Sequence, residues 1–354
     1  MHARPLALVF ALTAAALTAA ALTAAIVPNF AFPPHRAPAS APPFLSEHGP
    51  APIPGRCAAS PHLCGYPDAT NTGVPSGMKL KTVGPGKGQL SSGPGWHFDS
   101  RGWVEVDGNG AVLSGLYIPY NLDINSVSNV TVKDVKVVTS GDSSFGISLR
   151  HTTNATVENS TIQGVNTGAD RLMVGVKDIY ADATGTSVLD NNILRVATGV
   201  QIPEGLIEGN YIHNMGMIPG DHVNGITVNG STTPLTIKGN TILVHLDQTD
   251  AVSLFQDFGL EANKTIENNL LAGGSYTIYG GDGQYGATSG IVITGNRIST
   301  IYYPHGGTYG PVAYFTSSGT GNSWSGNTWD QNGQTIPSPM RAPGPRRPSR
   351  RHNR

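Results

Sequence analysis

A short pattern of apolar and polar positions recurs eight times between residues 130 and 329. Most copies have two apolar residues separated by one other residue, and Gly, Asn or Asp follows two places after the second of them. The central apolar residues are Val132, Val157, Leu189, Ile207, Ile237, Ile266, Ile293 and Trp324, spaced 25, 32, 18, 30, 29, 27 and 31 positions apart. A spacing near 30 residues indicates a solenoid, in which each repeat buries its apolar row by stacking on its neighbours.

The polar residue that ends each copy predicts a tight bend, because Gly, Asn and Asp adopt a positive φ at low cost. The predicted bend residues are Asp134, Asn159, Asn191, Gly209, Gly239, Asn268, Gly295 and Gly326. One place later, six copies have an asparagine: Asn192, Asn210, Asn240, Asn269, Asn296 and Asn327. Side-chain amides at one position of successive coils can hydrogen-bond along the stack, so we expect an asparagine ladder that begins at the third coil.

A second strand with alternating apolar residues precedes most of the bends. Period-two alternation is typical of a strand with one buried face. Its predicted inward pairs are Ile147/Leu149, Ile179/Ala181, Val200/Ile202, Ile226/Val228, Val252/Leu254, Ile278/Gly280 and Val312/Tyr314. The body of the chain shows no convincing amphipathic helix period, so we predict an all-β solenoid of about eight to nine coils.

Strand, Gly-Asn bend and strand at about 30 residues per coil resemble the right-handed parallel β-helix of the pectate lyase superfamily. The resemblance covers roughly residues 102–336, and we assign residues 102–338 to this domain. It implies a substrate lying across the second strand and the loops that enter it, with Lys or Arg as the catalytic base. The same scaffold also supports hydrolases, epimerases and adhesins, so it does not fix the function.

The two ends of the chain differ in composition from the repeats. Residues 1–25 have a basic start, an apolar stretch and small residues, which predict a cleaved secretory signal; the alternative is an uncleaved membrane anchor. Residues 26–56 form a Pro- and Ala-rich linker. Residues 339–354 carry six arginines and no acid, so this basic tail can contact anionic wall polymers or be merely solvated.

Charge and cysteine content restrict the partners and the compartment. The chain has a formal charge of −1, and the +2 of residues 1–56 and the +6 of the tail leave −9 for residues 57–338. Nucleic-acid binding by this acidic body is therefore not expected, and we expect a monomer. The only cysteines, Cys57 and Cys64, are predicted to form a disulfide after export, in a segment (57–101) expected to cap the first coil.

Polar residues at the entry of the second strand form a candidate site. Aligned on the inward residues, Asp221, His222 and Asn224 of one coil fall beside Asp247 and Asp250 of the next, about 4.8 Å away. Asp221 and Asp247 can bind Ca²⁺, or a carboxylate pair such as Asp221 and Asp250 can provide acid and base, with His222 transferring a proton. Alternatively, these residues only make hydrogen bonds in turns.

Amide, hydroxyl and aromatic side chains on the outer strand face suit sugar rings, whose apolar faces stack while their hydroxyls form hydrogen bonds. The candidate substrate-binding residues are Asn224, Thr227, Asn229, Phe255, Asp257, Tyr279 and Asp282. Under the family resemblance, the candidate bases near this face are Lys177, Arg150 and Arg171, of which we select Lys177 as catalytic. We therefore expect a Ca²⁺-assisted lyase acting on an acidic extracellular polysaccharide. The alternatives are a glycoside hydrolase and a non-catalytic cell-wall or glycan-binding protein.

Overall fold

The computed structural model describes residues 57–339. The predicted signal (1–25), the linker (26–56) and the basic tail beyond residue 339 lie outside the described residues. The described chain is an all-β parallel solenoid of about eight turns. Its one helix is the short 3-10 turn Pro61–Cys64. No helix long and apolar enough to cross a membrane occurs within residues 57–339.

Three sheets run along the solenoid and together enclose its core. Sheet 1 contains Ser92–Gly93, Trp96–Phe98, Val104–Val106, Leu122–Asn125, Gly141–Arg150, Leu172–Asp178, Val196–Gln201, Asn224–Val228, Asp250–Leu254, Tyr276–Tyr279 and Gly310–Ala313. Sheet 2 contains Val112–Ser114, Thr131–Lys133, Thr156–Glu158, Ser187–Leu189, Gly205–Glu208, Leu235–Lys238, Ala262–Glu267, Ser289–Thr294 and Ser323–Ser325. Sheet 3 contains Lys81–Thr82, Leu116–Ile118, Lys136–Val138, Thr161–Gln163, Asn192–Leu194, Tyr211–His213, Thr241–Val244, Leu270–Gly273, Arg297–Ser299 and Thr328–Trp329.

Each regular coil passes through sheets 1, 2 and 3 in that order and then returns to sheet 1. The predicted column of Ile207, Ile237, Ile266 and Ile293 is confirmed, because these residues pair in register from coil to coil. All four side chains are completely buried. The apolar rows therefore form one continuous core along the solenoid axis.

The asparagine ladder is present, and it begins at Asn191 rather than at Asn192. The backbone N–H and side-chain amide of Asn191 both donate to Asn210 Oδ1 at 3.0 Å. The same pattern continues through Asn240, Asn269, Asn296 and Asn327. In the third coil, Asp190 takes the positive φ and Val188 the buried central position, so our assignment of that coil was wrong by one residue.

A column of small residues in sheet 1 changes which side chains point outward. A Cβ added to Gly225 would lie 2.2 Å from the buried Ile242 Cγ2 of sheet 3, so position 225 faces the interior. Ile226 is also completely buried, which means that two consecutive residues face inward. Asn224 therefore points to the outer face, although simple alternation would place it inside. Gly146, Gly175 and Gly199 occupy the same position in earlier coils.

Two of the predicted inward pairs are wrong. Val176 and Asp178, rather than Ile179 and Ala181, pair with the buried Ile147 and Leu149 of the preceding coil. In the last sheet 1 coil, Tyr314 has a φ of 52° and 59% of its surface is exposed. The first error is a shift of strand register, whereas in the last coil the register is as predicted and the chain turns at Tyr314, after the strand has ended.

The predicted disulfide between Cys57 and Cys64 is present, with the two Cα atoms 5.5 Å apart. This part of the segment lies on the outer face of sheet 3, not on the first coil: Ala58 N–H donates to Asp330 Oδ2 at 3.2 Å, in the last coil. Gly73 N–H donates to the carbonyl of Asp190 in an earlier coil. We call residues 57–74 the strap. Residues 81–98 supply strands at the first-coil edges of sheets 3 and 1.

Candidate functional site

A cleft of about 500 Å³ lies on the outer face of sheet 1, and it adjoins a second hollow of about 340 Å³ toward the last coils. Eight predicted site residues line the cleft: Asp221, His222, Asn224, Thr227, Asn229, Phe255, Asp257 and Tyr279. Asp282 lines the hollow, which shares Phe255, Asp257 and Tyr279 with the cleft. The structure thus brings most of the predicted residues together on one surface.

A row of residues on the outer face of sheet 1, which we call the floor row, runs in strict register along this surface. Its members Gln201, Thr227 and Tyr279 line the cleft, whereas Ser253 is completely buried. Lys177 pairs with Gln201, Gln201 with Thr227, Thr227 with Ser253, and Ser253 with Tyr279. Successive strands lie about 4.8 Å apart, so the row from Lys177 to Tyr279 is roughly 19 Å long. Thr227 Oγ1 donates to Asn229 Oδ1 at 3.2 Å. A row of this length suits an extended polymer better than a small compact ligand.

Asp221 is held by Arg171, a residue two coils away. Arg171 donates through Nε to Asp221 Oδ2 and through Nη2 to Oδ1, the latter at 2.6 Å. Burial of Asp221 opposes ionisation, but hydrogen bonds from Arg171 and from Ile218 N–H outweigh it and lower the pKa of this carboxyl. Asp221 is therefore an ionised carboxylate at neutral pH, and its guanidinium partner is only 2% exposed.

The proposed Ca²⁺ ligands do not fit a metal site as they stand. The Asp221 carboxylate is already neutralised by Arg171, whereas Asp247 is exposed. Among the side chains that the structure describes, which do not include those of residues 142 and 143, no group of three or more His, Cys, Asp or Glu is arranged to hold a metal ion. Binding of Ca²⁺ stays a prediction, and we derive no chemical step through it.

Asp250 does not line the cleft. It is completely buried, and it pairs in register with Asn224 of the preceding coil. Neither carboxyl oxygen has a hydrogen-bond partner, and the Oδ1 atom of Asn224 is likewise buried without one. Burial raises the pKa of Asp250 well above its ordinary value, and the nearby Ser253 hydroxyl offsets this effect only in part. The pKa values of Asp250 and Asp221 are therefore shifted in opposite directions.

His222 is exposed at the edge of the cleft. Its Nδ1 atom lies 3.4 Å from Thr249 Oγ1, which is a long contact that leaves the ring weakly held. The neighbouring Gln248 side chain donates to the Asp221 carbonyl at 2.9 Å and ties the two coils together. His222 is thus accessible to a ligand in the cleft, as a proton-transfer group has to be.

Lys177 is the cation of the floor row, and it is half-buried. Its Nζ atom lies 4.9 Å from the centre of the Phe145 ring. It makes no ion pair with any described residue, and burial lowers the pKa of its amine. A lysine amine with a lowered pKa is deprotonated at a lower pH than an ordinary lysine, which suits a general base.

Aromatic rings cover the C-terminal end of the surface. The predicted Phe255 and Tyr279 lie 5.3 Å apart between ring centres. The structure adds three rings that we did not predict as binding residues: Tyr276, Tyr309 and Tyr314. The alignment of the coils could have identified Tyr276, because it falls at the same coil position as Asn224 and Asp250. Nothing in the sequence pattern indicates that Tyr314 turns outward.

The two acids at this end differ in availability. Asp282 accepts hydrogen bonds from Thr288 N–H and Oγ1 at 3.0 Å and from Thr316 Oγ1 at 2.5 Å, so it mainly holds its turn. Asp257 is exposed, and its side chain makes no hydrogen bond or ion pair with a described residue. Asp257 is therefore the acid that remains available to a ligand.

Comparison with known proteins does not extend this description. No protein-family model matches the sequence, and a search among curated proteins likewise finds no match.

Proposed function

We propose that this protein is a polysaccharide lyase on a pectate-lyase-like β-helix, and that it binds an extended acidic glycan along the outer face of sheet 1. The proposal depends mainly on the environment of Lys177. This lysine is a half-buried amine with a lowered pKa and no ion-pair partner among the described residues, and it lies in the floor row beside the cleft. A cation there attracts a uronate carboxylate, and its deprotonated form can act as a base.

The proposed reaction is a β-elimination. The Lys177 amine removes the proton next to the uronate carboxyl group, and the released electron pair forms a carbon–carbon double bond. The glycosidic bond at the adjacent carbon breaks, and its oxygen leaves with a proton. His222, which is exposed in the cleft, is the candidate donor of that proton.

Glycoside hydrolysis is a second candidate, because two carboxyl groups in neighbouring coils have pKa values shifted in opposite directions. Burial raises the pKa of Asp250 well above its ordinary value and favours its protonated form, whereas hydrogen bonds from Arg171 lower the pKa of Asp221. Such a pair can divide the roles of acid and base. The hydrolytic reaction requires a movement that exposes Asp250, since none of its surface is accessible in this structure.

We further propose that the protein is exported, monomeric and active outside the cell. The predicted signal segment and the Cys57–Cys64 disulfide support export, because disulfides persist in oxidising compartments. In this setting, the Arg-rich tail would contact anionic wall polymers.

The test is a panel of acidic and neutral polysaccharides, with ultraviolet absorbance reporting unsaturated uronate and a separate assay reporting reducing ends. For the lyase, Lys177→Gln should still bind the glycan but lose turnover, because an amide side chain cannot accept the proton. Lys133→Ala is the control, since Lys133 pairs with Glu158 on sheet 2. Reducing ends without absorbance, abolished by Asp250→Asn, would instead indicate hydrolysis. Binding without any product would indicate a non-catalytic glycan-binding protein.

A further inference from the structure

Five aromatic rings lie in contact on the outer face of sheet 1, toward the last coils. We call this group the tyrosine platform: Phe255, Tyr276, Tyr279, Tyr309 and Tyr314. Tyr279 is central, with Phe255, Tyr276 and Tyr314 at centroid distances of 5.3, 5.5 and 5.6 Å. Tyr309 extends the surface from Tyr276 at 5.8 Å. The rings of Tyr279 and Tyr314 are nearly parallel, with an angle of 15° between them.

The outer rings of the platform are unusually exposed. Tyr309 is 69% exposed and Tyr314 is 59% exposed. Tyr314 also has a φ of 52°, a backbone conformation that is unfavourable for a bulky residue. This conformation turns the Tyr314 ring outward, and an exposed group of aromatic rings is a candidate binding surface.

The charges around the platform select against an anion. The described residues that line its hollow include Asp257 and Asp282 but no lysine or arginine. Asp257 makes no hydrogen bond or ion pair with a described residue and faces the hollow. A uronate carboxylate placed here would meet a negative charge without a compensating cation, whereas sugar hydroxyls can donate to the Asp257 carboxylate.

The platform hydroxyls remain neutral at working pH. Burial raises the pKa of Tyr279 to about 12. Tyr279 therefore keeps its phenolic proton and presents an uncharged ring with a hydrogen-bond donor at its edge. Both properties match a pyranose ring with hydroxyl groups and no carboxylate.

We propose that the tyrosine platform binds a neutral sugar ring, so that the glycan has an acidic residue toward Lys177 and a neutral residue toward the last coils. The neutral subsite is inferred only from the tyrosine platform and Asp257. Only the acidic half of the inference rests on the proposed lyase function.

The test is calorimetric titration of the full chain with three neutral hexasaccharides (cellohexaose, mannohexaose and laminarihexaose) and with hexagalacturonate. At least one neutral hexasaccharide should bind, and Tyr309→Ala and Tyr314→Asn should each weaken it roughly two- to twelvefold, as for loss of one aromatic contact. Asparagine tolerates a positive φ, so Tyr314→Asn removes the ring without adding backbone strain. Tyr302→Ala, at an exposed tyrosine beside His245, is the matched control and should bind normally.

A charge reversal tests the selectivity. Asp257→Lys should weaken the neutral hexasaccharide and strengthen hexagalacturonate. The inference is overturned if none of the neutral hexasaccharides binds, or if both tyrosine variants bind as the unchanged protein does. It is also overturned if Asp257→Lys leaves the preference between neutral and acidic ligands unchanged. If the neutral hexasaccharide binds but no elimination product forms on any acidic glycan, the lyase proposal is refuted and the neutral subsite is not.

Discussion

Replacing Asn240 with alanine tests how much the asparagine ladder stabilises the stacked coils. Asn240 is completely buried, and its side chain makes five hydrogen bonds. Its Oδ1 atom accepts from Asn210 N–H and Nδ2, both at 2.9 Å. Its Nδ2 group donates to the carbonyls of Ile207 and Lys238 and to Asn269 Oδ1.

The size of the effect follows from the partners that are left behind. Asn210 Nδ2 and Asn269 Oδ1 keep other partners, but the buried backbone N–H of Asn210 loses its acceptor. A buried donor without an acceptor costs roughly 1–3 kcal/mol, and the net loss of a further ladder bond adds about 1 kcal/mol. The Asn240→Ala variant should therefore lose about 2–4 kcal/mol of unfolding free energy.

Urea unfolding followed by circular dichroism measures this loss, provided that the slope of the transition does not change. Asn263→Gly is the control, because Asn263 is exposed, has a φ of 58° and donates a single hydrogen bond to Thr232. We expect that variant to stay within about 0.5 kcal/mol of the parent. A loss below about 1 kcal/mol for Asn240→Ala would refute the view that the ladder satisfies otherwise stranded backbone groups.

Further expectations concern the core, the disulfide and pH. Ile237→Ala should lower the unfolding free energy by about 2–5 kcal/mol in the same urea assay, because it leaves a cavity in the central column. Mass spectrometry without reductant should find Cys57 and Cys64 oxidised, and reduction should cost roughly 2–3 kcal/mol of stability. Burial lowers the pKa of His213 from 6.5 to about 4. The unfolded chain therefore binds an additional proton between these values, so stability should fall as pH falls through this range, less steeply in His213→Gln. If Lys177 is the base, turnover should rise with pH in a range below that of an ordinary lysine, and a flat pH–rate profile would exclude this role.

The fold could be predicted from the sequence because, in most coils, the bend residues and the buried apolar residues indicate the same alignment of the strands. Ile237 is followed by Gly239 and Asn240, so the buried row, the bend and the ladder were all assigned together. The third coil was ambiguous, since Asp190 and Asn191 both favour a positive φ and the flanking residues are similar. Periodicity alone could not decide between two registers that differ by one position.

The site was less predictable because its geometry depends on contacts between distant coils. The pairing of Arg171 with Asp221 joins residues 50 positions apart, and no local pattern indicates it. The inward turn of Gly225 directs Asn224 outward, a reversal that alternating burial does not predict. The position of Tyr314 likewise depends on a backbone conformation that few residues of its size adopt.

The strap changes how the ends of the solenoid can separate. In a simple stack, the terminal coil can fray alone, since it contacts only its neighbour. Here Ala58 binds Asp330 across 272 positions of sequence, while Gly73 binds Asp190 several coils earlier. Opening of the last coil therefore also breaks its contact with the strap, so the last coil is held by more than its one neighbour. Because this contact joins residues 272 positions apart, its loop-closure entropy is larger than that of the contacts between neighbouring coils.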